Sequence, residues 1–282
     1  MIARSHLYVP ADDADRLAKA LSRGADALIV DLEDGVAPDS KIAARSTLTE
    51  WLNEVSVDAH IWVRINAGTL RHEDVRAAIH PRVAGLVQAK SESVEDLKEL
   101  NQLVSVLEVE RNIAEGHTQI SPLIESALGI LRAVDIAQVS RVSRLQVGEA
   151  DLSADIGVTL GADERELLYA RSHVILACAA AGIEPPIAPV SSNFRDLDAF
   201  KNSTFAFKRM GYFGRACIHP AQIEVVNDVF TPTGQEIEDA EDLVQRFDAA
   251  KGGVCLDSRG RMVDLAVIRS AQRTLSLKGL RN

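Results

Sequence analysis

Short apolar, β-branched runs alternate along most of the chain with longer stretches whose apolar residues recur every three or four positions. The runs at 27–32 (ALIVDL), 61–65 (IWVRI), 84–87 (AGLV), 119–124 (QISPLI) and 144–147 (RLQV) read as strands. Weaker candidates lie at 7–9, 186–190 and 216–218. Helical spacing marks 12–22, 39–53, 94–108, 126–139, 163–181, 197–210 and 220–229. Within the fifth of these, Leu167, Leu168, Val174, Ile175 and Cys178 share one face, and the stretch stops at Gly182, a residue suited to helix ends.

Eight strand-to-helix steps in the first 230 residues imply parallel pairing, because each return to the sheet needs a crossover helix. Closing such units predicts an α/β fold of the (β/α)8 TIM-barrel type over 1–230. An open doubly wound sheet is the alternative, and it usually carries a glycine-rich phosphate loop. Neither GxGxxG nor GxxxxGK[ST] occurs, which favours the barrel. From 231 onward the pattern changes to a helix over 235–249, a hairpin turning at 258–260 and a last helix over 264–277. This C-terminal helix–hairpin–helix extension, 231–282, is amphipathic and needs a surface to pack on.

Composition narrows the function. No apolar run approaches the roughly 18 residues of a membrane span, and the amino terminus has no secretory h-region. The three cysteines, Cys178, Cys217 and Cys255, are far apart and form no CxxC, which suits a reducing cytoplasm rather than a disulfide framework or a zinc site. A net charge of −10 argues against nucleic acid and anionic membranes as partners. An anionic small molecule would need local cations or a metal.

Barrel active sites form at the C-terminal ends of the strands. Asp31, Glu33 and Asp34, then Arg64, Lys90, Glu125, Glu149 and Asp151, all follow predicted strands. One acid there usually caps a helix. Acids from several strand ends around one arginine repel one another unless a cation intervenes, and magnesium accepts one or two carboxylates while leaving positions for water or substrate.

Six strings now matter together: ARSHLYVPADDADR, ALIVDLEDGVAPDSKIAAR, WVRINA, PLIESALGIL, LQVGEADLSADIG and GRACIHPAQIEVVNDVF. In this order they resemble the citrate lyase β-subunit type of the HpcH/HpaI aldolase family, which includes citryl-CoA, citramalyl-CoA and malyl-CoA lyases. The resemblance runs from Arg4 to about Leu275. It implies a Mg2+-dependent carbon–carbon lyase acting on an acyl-CoA to release a 2-oxo acid, assembled as a homo-oligomer, a trimer. By matching, Glu125 and Asp151 would hold the metal, and Arg64 would clamp a substrate carboxylate, a role suited to a planar two-donor cation. Asp31 joins Arg64 as a substrate-side group or as its salt-bridge partner. Glu33 resembles a residue that orders water at the metal and positions the arginine, with Asp34 beside it readable as a turn cap. Lys41 and Arg45, one helical turn apart, match basic residues near the coenzyme A diphosphate, or lie on a solvated face. Asp264 matches an aspartate that reaches an adjacent subunit's site and handles the acyl-CoA methyl proton, or it caps the last helix.

Two further residues read as structural. His219 in CIHP is better suited to a core or capping role than to acting as a base, and Lys90 to fixing carboxylates than to forming an imine. The chain departs from many relatives at Ala11, at Ala188 and Pro189, and at Arg215, which leaves the acyl group open. Rival readings are a malyl-CoA thioesterase, a class II pyruvate aldolase acting without coenzyme A, and a non-catalytic acyl-CoA-binding subunit. Asp34 stands where that aldolase type has a histidine base.

Overall fold

The computed structural model describes residues 3–55 and 59–281. The chain divides into two compact units, Met1–Asn227 and Asp228–Asn282. In the first unit the strands are β1 (Ser5–Pro10), β2 (Ala27–Asp31), β3 (His60–Ile65), β4 (Val83–Gln88), β5 (Gln119–Ile124), β6 (Gln146–Val147) and β7 (Arg215–Cys217). The helices are α1 (Ala14–Ala20), α2 (Lys41–Glu54), α3 (Arg71–Ala78), α4 (Val94–Glu110), α5 (Ala127–Leu131), α6 (Ala133–Ala137), α7 (Glu149–Ile156), α8 (Leu168–Ala181) and α9 (Leu197–Met210). Helix α10 (Ala221–Phe230) runs across the division.

The seven strands form one curled parallel sheet in the order β6-β5-β4-β3-β2-β1-β7, an α/β architecture that is TIM-barrel-like. Parallel strands covered on both faces read as continuous apolar runs, and all five residues of β2 are buried. Ala27, Ile29, Trp62, Val87 and Leu123 pack with Tyr8 in one inner cluster. The alternate residues Leu28, Val30, Ile61, Val63 and Leu86 are equally buried on the opposite face.

The weak strand expected at 186–190 appears only as two single bridges, Ile187 to Gln146 and Ala188 to Arg215. Pro186 and Pro189 have no N–H to donate, so the ladder cannot lengthen in either direction. Those two bridges nevertheless set residues 187 and 188 between β6 and β7. The helix expected over 126–139 is split into α5 and α6 at Arg132. Helices α3 and α7 do not appear in the periodicity: α7 buries only Leu152, and the eight-residue α3 only Asp74, Val75 and Ala78, too little for a repeated hydrophobic face.

The second unit contains α11 (Gly234–Ala249), opened by a Thr233–Glu236 capping box, then antiparallel β8 (Cys255–Leu256) and β9 (Met262–Val263), then α12 (Leu265–Ser276). Asp257 ties the hairpin turn by accepting from the N–H groups of Arg259 and Arg261, both at 2.8 Å. Phe247, Val263 and Ile268 form this unit's core. Among the described residues no helix is long and apolar enough to cross a membrane.

Candidate active site

The C-terminal strand ends of the first unit surround a cavity of about 420 Å³. Asp31, Arg64, Glu125 and Asp151 all line it, so four of the expected site residues meet in one place. Each arrives from a different strand or the helix after it, which only the curled parallel sheet can arrange.

Arg64, the penultimate residue of β3, is in register with Asp31 of β2. Its Nε and Nη2 donate to the two Asp31 carboxylate oxygens, each at 2.6 Å, a two-pronged pair. Its Nη1 lies 3.1 Å from Glu33 Oε2, and its guanidinium sits 5.1 Å from the centre of the Tyr8 ring. Burial works against the charged form, but the hydrogen bonds and charge of Asp31 outweigh it and hold the Arg64 pKa above its ordinary value. Asp31 also accepts from the N–H groups of Glu33 (2.9 Å) and Gly35 (2.8 Å), so one buried carboxylate shapes the loop and orients the arginine. A Cβ on Gly35 would fall 2.4 Å from Asp31 Oδ2, so only glycine admits this contact.

Glu125 follows β5 and Asp151 lies in the first turn of α7, after β6. Glu125 is buried and accepts the Lys90 N–H at 2.6 Å. Its pKa is pushed up to about 7, first by burial; the Lys90 N–H opposes this, repulsion from Asp151 and Glu33 adds to it, and Arg64 opposes it. Among the described residues no hydrogen bond reaches the Asp151 carboxylate. Two acids on one cavity, one with its pKa raised chiefly by burial and the other with no hydrogen-bond partner among the described residues, fit a divalent metal ion. Among the described residues no group of three or more His, Cys, Asp or Glu forms a metal cluster. A two-carboxylate set suits magnesium, which keeps water or substrate as further ligands, and not a closed zinc site.

The remaining expected residues lie elsewhere. The buried Lys41 Nζ donates to Leu32 O (2.7 Å), Glu33 O (2.5 Å) and Asn66 Oδ1 (3.2 Å), which occupies all three protons. Arg45 pairs at 2.7 Å with Asp74, whose other oxygen accepts from Asn66. Neither lines the cavity: both brace the loop that carries Glu33 from behind. Glu33 is buried between Arg64 and the Lys90 ammonium at 3.2 Å, and the Lys90 pKa is raised chiefly by that hydrogen bond. His219 stacks on Phe194 with centroids 4.7 Å apart, and its Nδ1 accepts from Ala221 N–H, a capping arrangement. Asp264, in the second unit, caps α12 by accepting from Ala266 and Val267 N–H at 2.9 and 3.1 Å.

Lys90, read from the sequence as fixing carboxylates, is joined by two contributors that sequence patterns did not reveal, Gly148 and Arg171. Lys90 takes a left-handed backbone, φ 51°, which aims its N–H at Glu125. Gly148 makes room for the Glu125 side chain, since a Cβ there would lie 2.4 Å from Oε2. Arg171 of α8 grips Glu149 with two bonds of 2.5 and 2.7 Å and Glu164 with one of 2.6 Å, fixing the start of α7 beside Asp151. Neither Gly148 nor Arg171 has a local spacing that could announce it.

A model of the family described as HpcH/HpaI aldolase/citrate lyase matches residues 4–220. The chain belongs to that family. It is 32% identical over 282 residues to the citrate lyase subunit beta of Leuconostoc mesenteroides subsp. cremoris, covering 98% of this chain and 93% of the relative. It is 30% identical over 290 residues to the mitochondrial citramalyl-CoA lyase of Mus musculus, covering 97% and 85%. Both relatives are lyases, and this chain is a family lyase of the citrate lyase β-subunit type. Among solved structures, CitE of Mycobacterium tuberculosis in complex with magnesium, acetoacetate and coenzyme A superposes with a TM-score of 0.80 at 27% identity, covering 99% and 98% of the two chains. The citrate lyase beta subunit of M. tuberculosis complexed with oxaloacetate and magnesium gives 0.69 at 29%, covering 82% and 98%.

Proposed function

We propose that this family member is a magnesium-dependent lyase that cleaves a 3-hydroxyacyl-CoA into a 2-oxo acid and acetyl-CoA, with citramalyl-CoA or citryl-CoA as first substrates and malyl-CoA next. The observation that carries the reading is the meeting of Glu125, Asp151 and Arg64 on one cavity at the strand ends. Magnesium complexes of relatives with oxaloacetate and with acetoacetate and coenzyme A support it. The fold on this reading is the eight-unit barrel, with residues 187–188 as its seventh strand position.

Glu125 and Asp151 would hold the ion, which when bound supplies Lewis acidity to the substrate's 3-hydroxyl and adjacent carboxylate. Arg64, fixed by Asp31 and Glu33, presents a permanent cation where the carboxylate sits and where negative charge develops. The C2–C3 bond breaks, the hydroxyl proton leaves, C3 becomes the carbonyl of the 2-oxo acid, and the thioester enolate takes a proton at C2. That proton is assigned to Asp264 of an adjacent subunit in a homotrimer, in a cytoplasmic setting. Apolar side chains left exposed around it, Leu256, Met262 and Leu265, favour a partner surface for this hairpin. Asp31 and Glu33 act through Arg64, while Lys41 and Arg45 act through the Glu33 loop.

The test is a panel of 3-hydroxyacyl-CoA thioesters with magnesium, scoring 2-oxo acid and free thiol separately. Oxo acid without thiol is expected. Thiol without oxo acid would replace the lyase by a thioesterase, and cleavage of hydroxy-oxo acids lacking coenzyme A would favour an aldolase.

A further inference from the structure

The cavity wall is divided by chemistry. From β2 round to β6, successive strand ends bear Asp31, Glu33, Arg64, Glu125 and Asp151. The arc from 187–190 through β7 lines the cavity with Ile187, Pro189, Val190, Ala216 and Ile218, and beyond it the β1 side adds Tyr8, Pro10 and Arg16. The bridge from Ile187 to Gln146 sets the apolar arc directly beside β6, the strand that leads into the helix carrying Asp151. Val190 and Ile218 are each 42% exposed, so two aliphatic side chains remain uncovered at the cavity.

Among the described residues two cations line the cavity, Arg64 on the charged arc and Arg16 in α1 after β1. Arg64 lines the cavity already bound to Asp31 and Glu33. The other lining cation, Arg16, is at the rim, 68% exposed and paired with Asp13 at 2.9 Å. One substrate carboxylate can therefore be served at the charged arc, while a second, pointing at the apolar arc, would lose its water without gaining a partner.

Resting on the lyase reading above, we infer that the arc 187–190 with Ile218 determines specificity: it accepts an alkyl branch on C3 of the substrate and rejects a second carboxylate there. The 2-oxo acid released is then an alkyl 2-oxo monocarboxylate rather than a dicarboxylate. The arc discriminates by leaving the wrong group unsolvated, which a methyl never feels.

The test uses the full chain with magnesium and four thioesters differing only at C3, where methyl, hydrogen, n-propyl or carboxymethyl stands beside the carboxylate. Methyl is expected to be best, with hydrogen lower in kcat/KM by about ten- to two-hundredfold. Carboxymethyl should fall below methyl by at least about a hundredfold, and n-propyl, similar in size, should exceed it clearly. Val190→Arg should lower the methyl-to-carboxymethyl ratio by about tenfold or more. Equal rates for methyl and carboxymethyl, or an n-propyl ester as poor as carboxymethyl, overturn the assignment. So does a Val190→Arg enzyme whose KM rises alike for every ester, the behaviour of an arc that only carries the pantetheine chain. If no ester is cleaved, the lyase reading fails, and the arc is judged by calorimetry on the magnesium-loaded protein. Tighter binding of pyruvate than oxaloacetate upholds it; the reverse, equal binding or no binding overturns it.

Discussion

Gly148 stands so close to Glu125 that a methyl group on its Cα would lie 2.4 Å from Oε2 and 2.7 Å from Cβ of the glutamate. The φ of Gly148 is −94°, so its backbone suits any residue and the requirement is purely for space. Gly148→Ala must push the Glu125 carboxylate away from the position it shares with Asp151. The expected result is a normal circular dichroism spectrum with magnesium affinity reduced about tenfold or more. Unchanged magnesium affinity by calorimetry would show that Glu125 does not depend on this space.

The Glu125 pKa of about 7 gives magnesium binding a pH dependence. The ion binds the carboxylate, so below pH 7 a proton must leave first, and affinity falls as pH falls. At pH 6 calorimetry in two buffers should show close to one proton released per ion, and at pH 8.5 almost none. The apparent affinity should drop about tenfold between them. In the metal-free protein the sign for stability is opposite. The folded pKa lies above the unfolded value, so the contribution is complete below about pH 4.5 and is lost as pH rises through 7. Proton release that does not vary with pH would remove Glu125 from the metal site.

Arg64→Lys should be nearly as harmful as Arg64→Ala. A single ammonium cannot hold both Asp31 oxygens and also face Glu33 and the cavity. A loss of about 2–4 kcal/mol in transition-state stabilisation, tens- to several-hundredfold in kcat/KM, is expected for both. A lysine enzyme retaining most of the kcat would make Arg64 a structural partner of Asp31 only.

Arg45→Ala leaves the fully buried Asp74 without its cation. Breaking a buried pair costs about 3–5 kcal/mol, so urea unfolding should shift strongly. KM for the thioester should change little, because Arg45 does not line the cavity. A large KM increase with unchanged stability would return Arg45 to the coenzyme A diphosphate.

Asp264 can be separated into its two roles. Asp264→Asn preserves an acceptor for Ala266 and Val267 N–H and should keep stability, whereas Asp264→Ala should lose about 1 kcal/mol of capping. Both should lose lyase turnover while still binding magnesium and 2-oxo acid. Mixing Asp264→Asn with Glu125→Gln subunits should restore part of the activity, since some shared sites contain both groups. No recovery after demonstrated subunit exchange, or an active monomer, ends the shared-site reading.

The sequence by itself determined the alternation of parallel strands and helices, because side-chain periodicity is a local property of each element. It also determined which acids and which arginine follow strands: Asp31, Arg64, Glu125 and Asp151 all reach the cavity. Helices α3 and α7 were illegible because their buried faces are too small to print a period. Tertiary structure alone decided what the basic pair contacts. Lys41 and Arg45 share one helical face, but the side chains they meet, Asn66 and Asp74, come from the next strand–helix unit of the sheet. Buried charges go where a partner removes the desolvation cost, and that partner is a matter of folding, not of spacing. The same holds for Gly148 beside Glu125 and for Ile187 of the apolar arc bridged to Gln146 of β6. Both are contacts between separate strand ends, and they exist only once the sheet has curled.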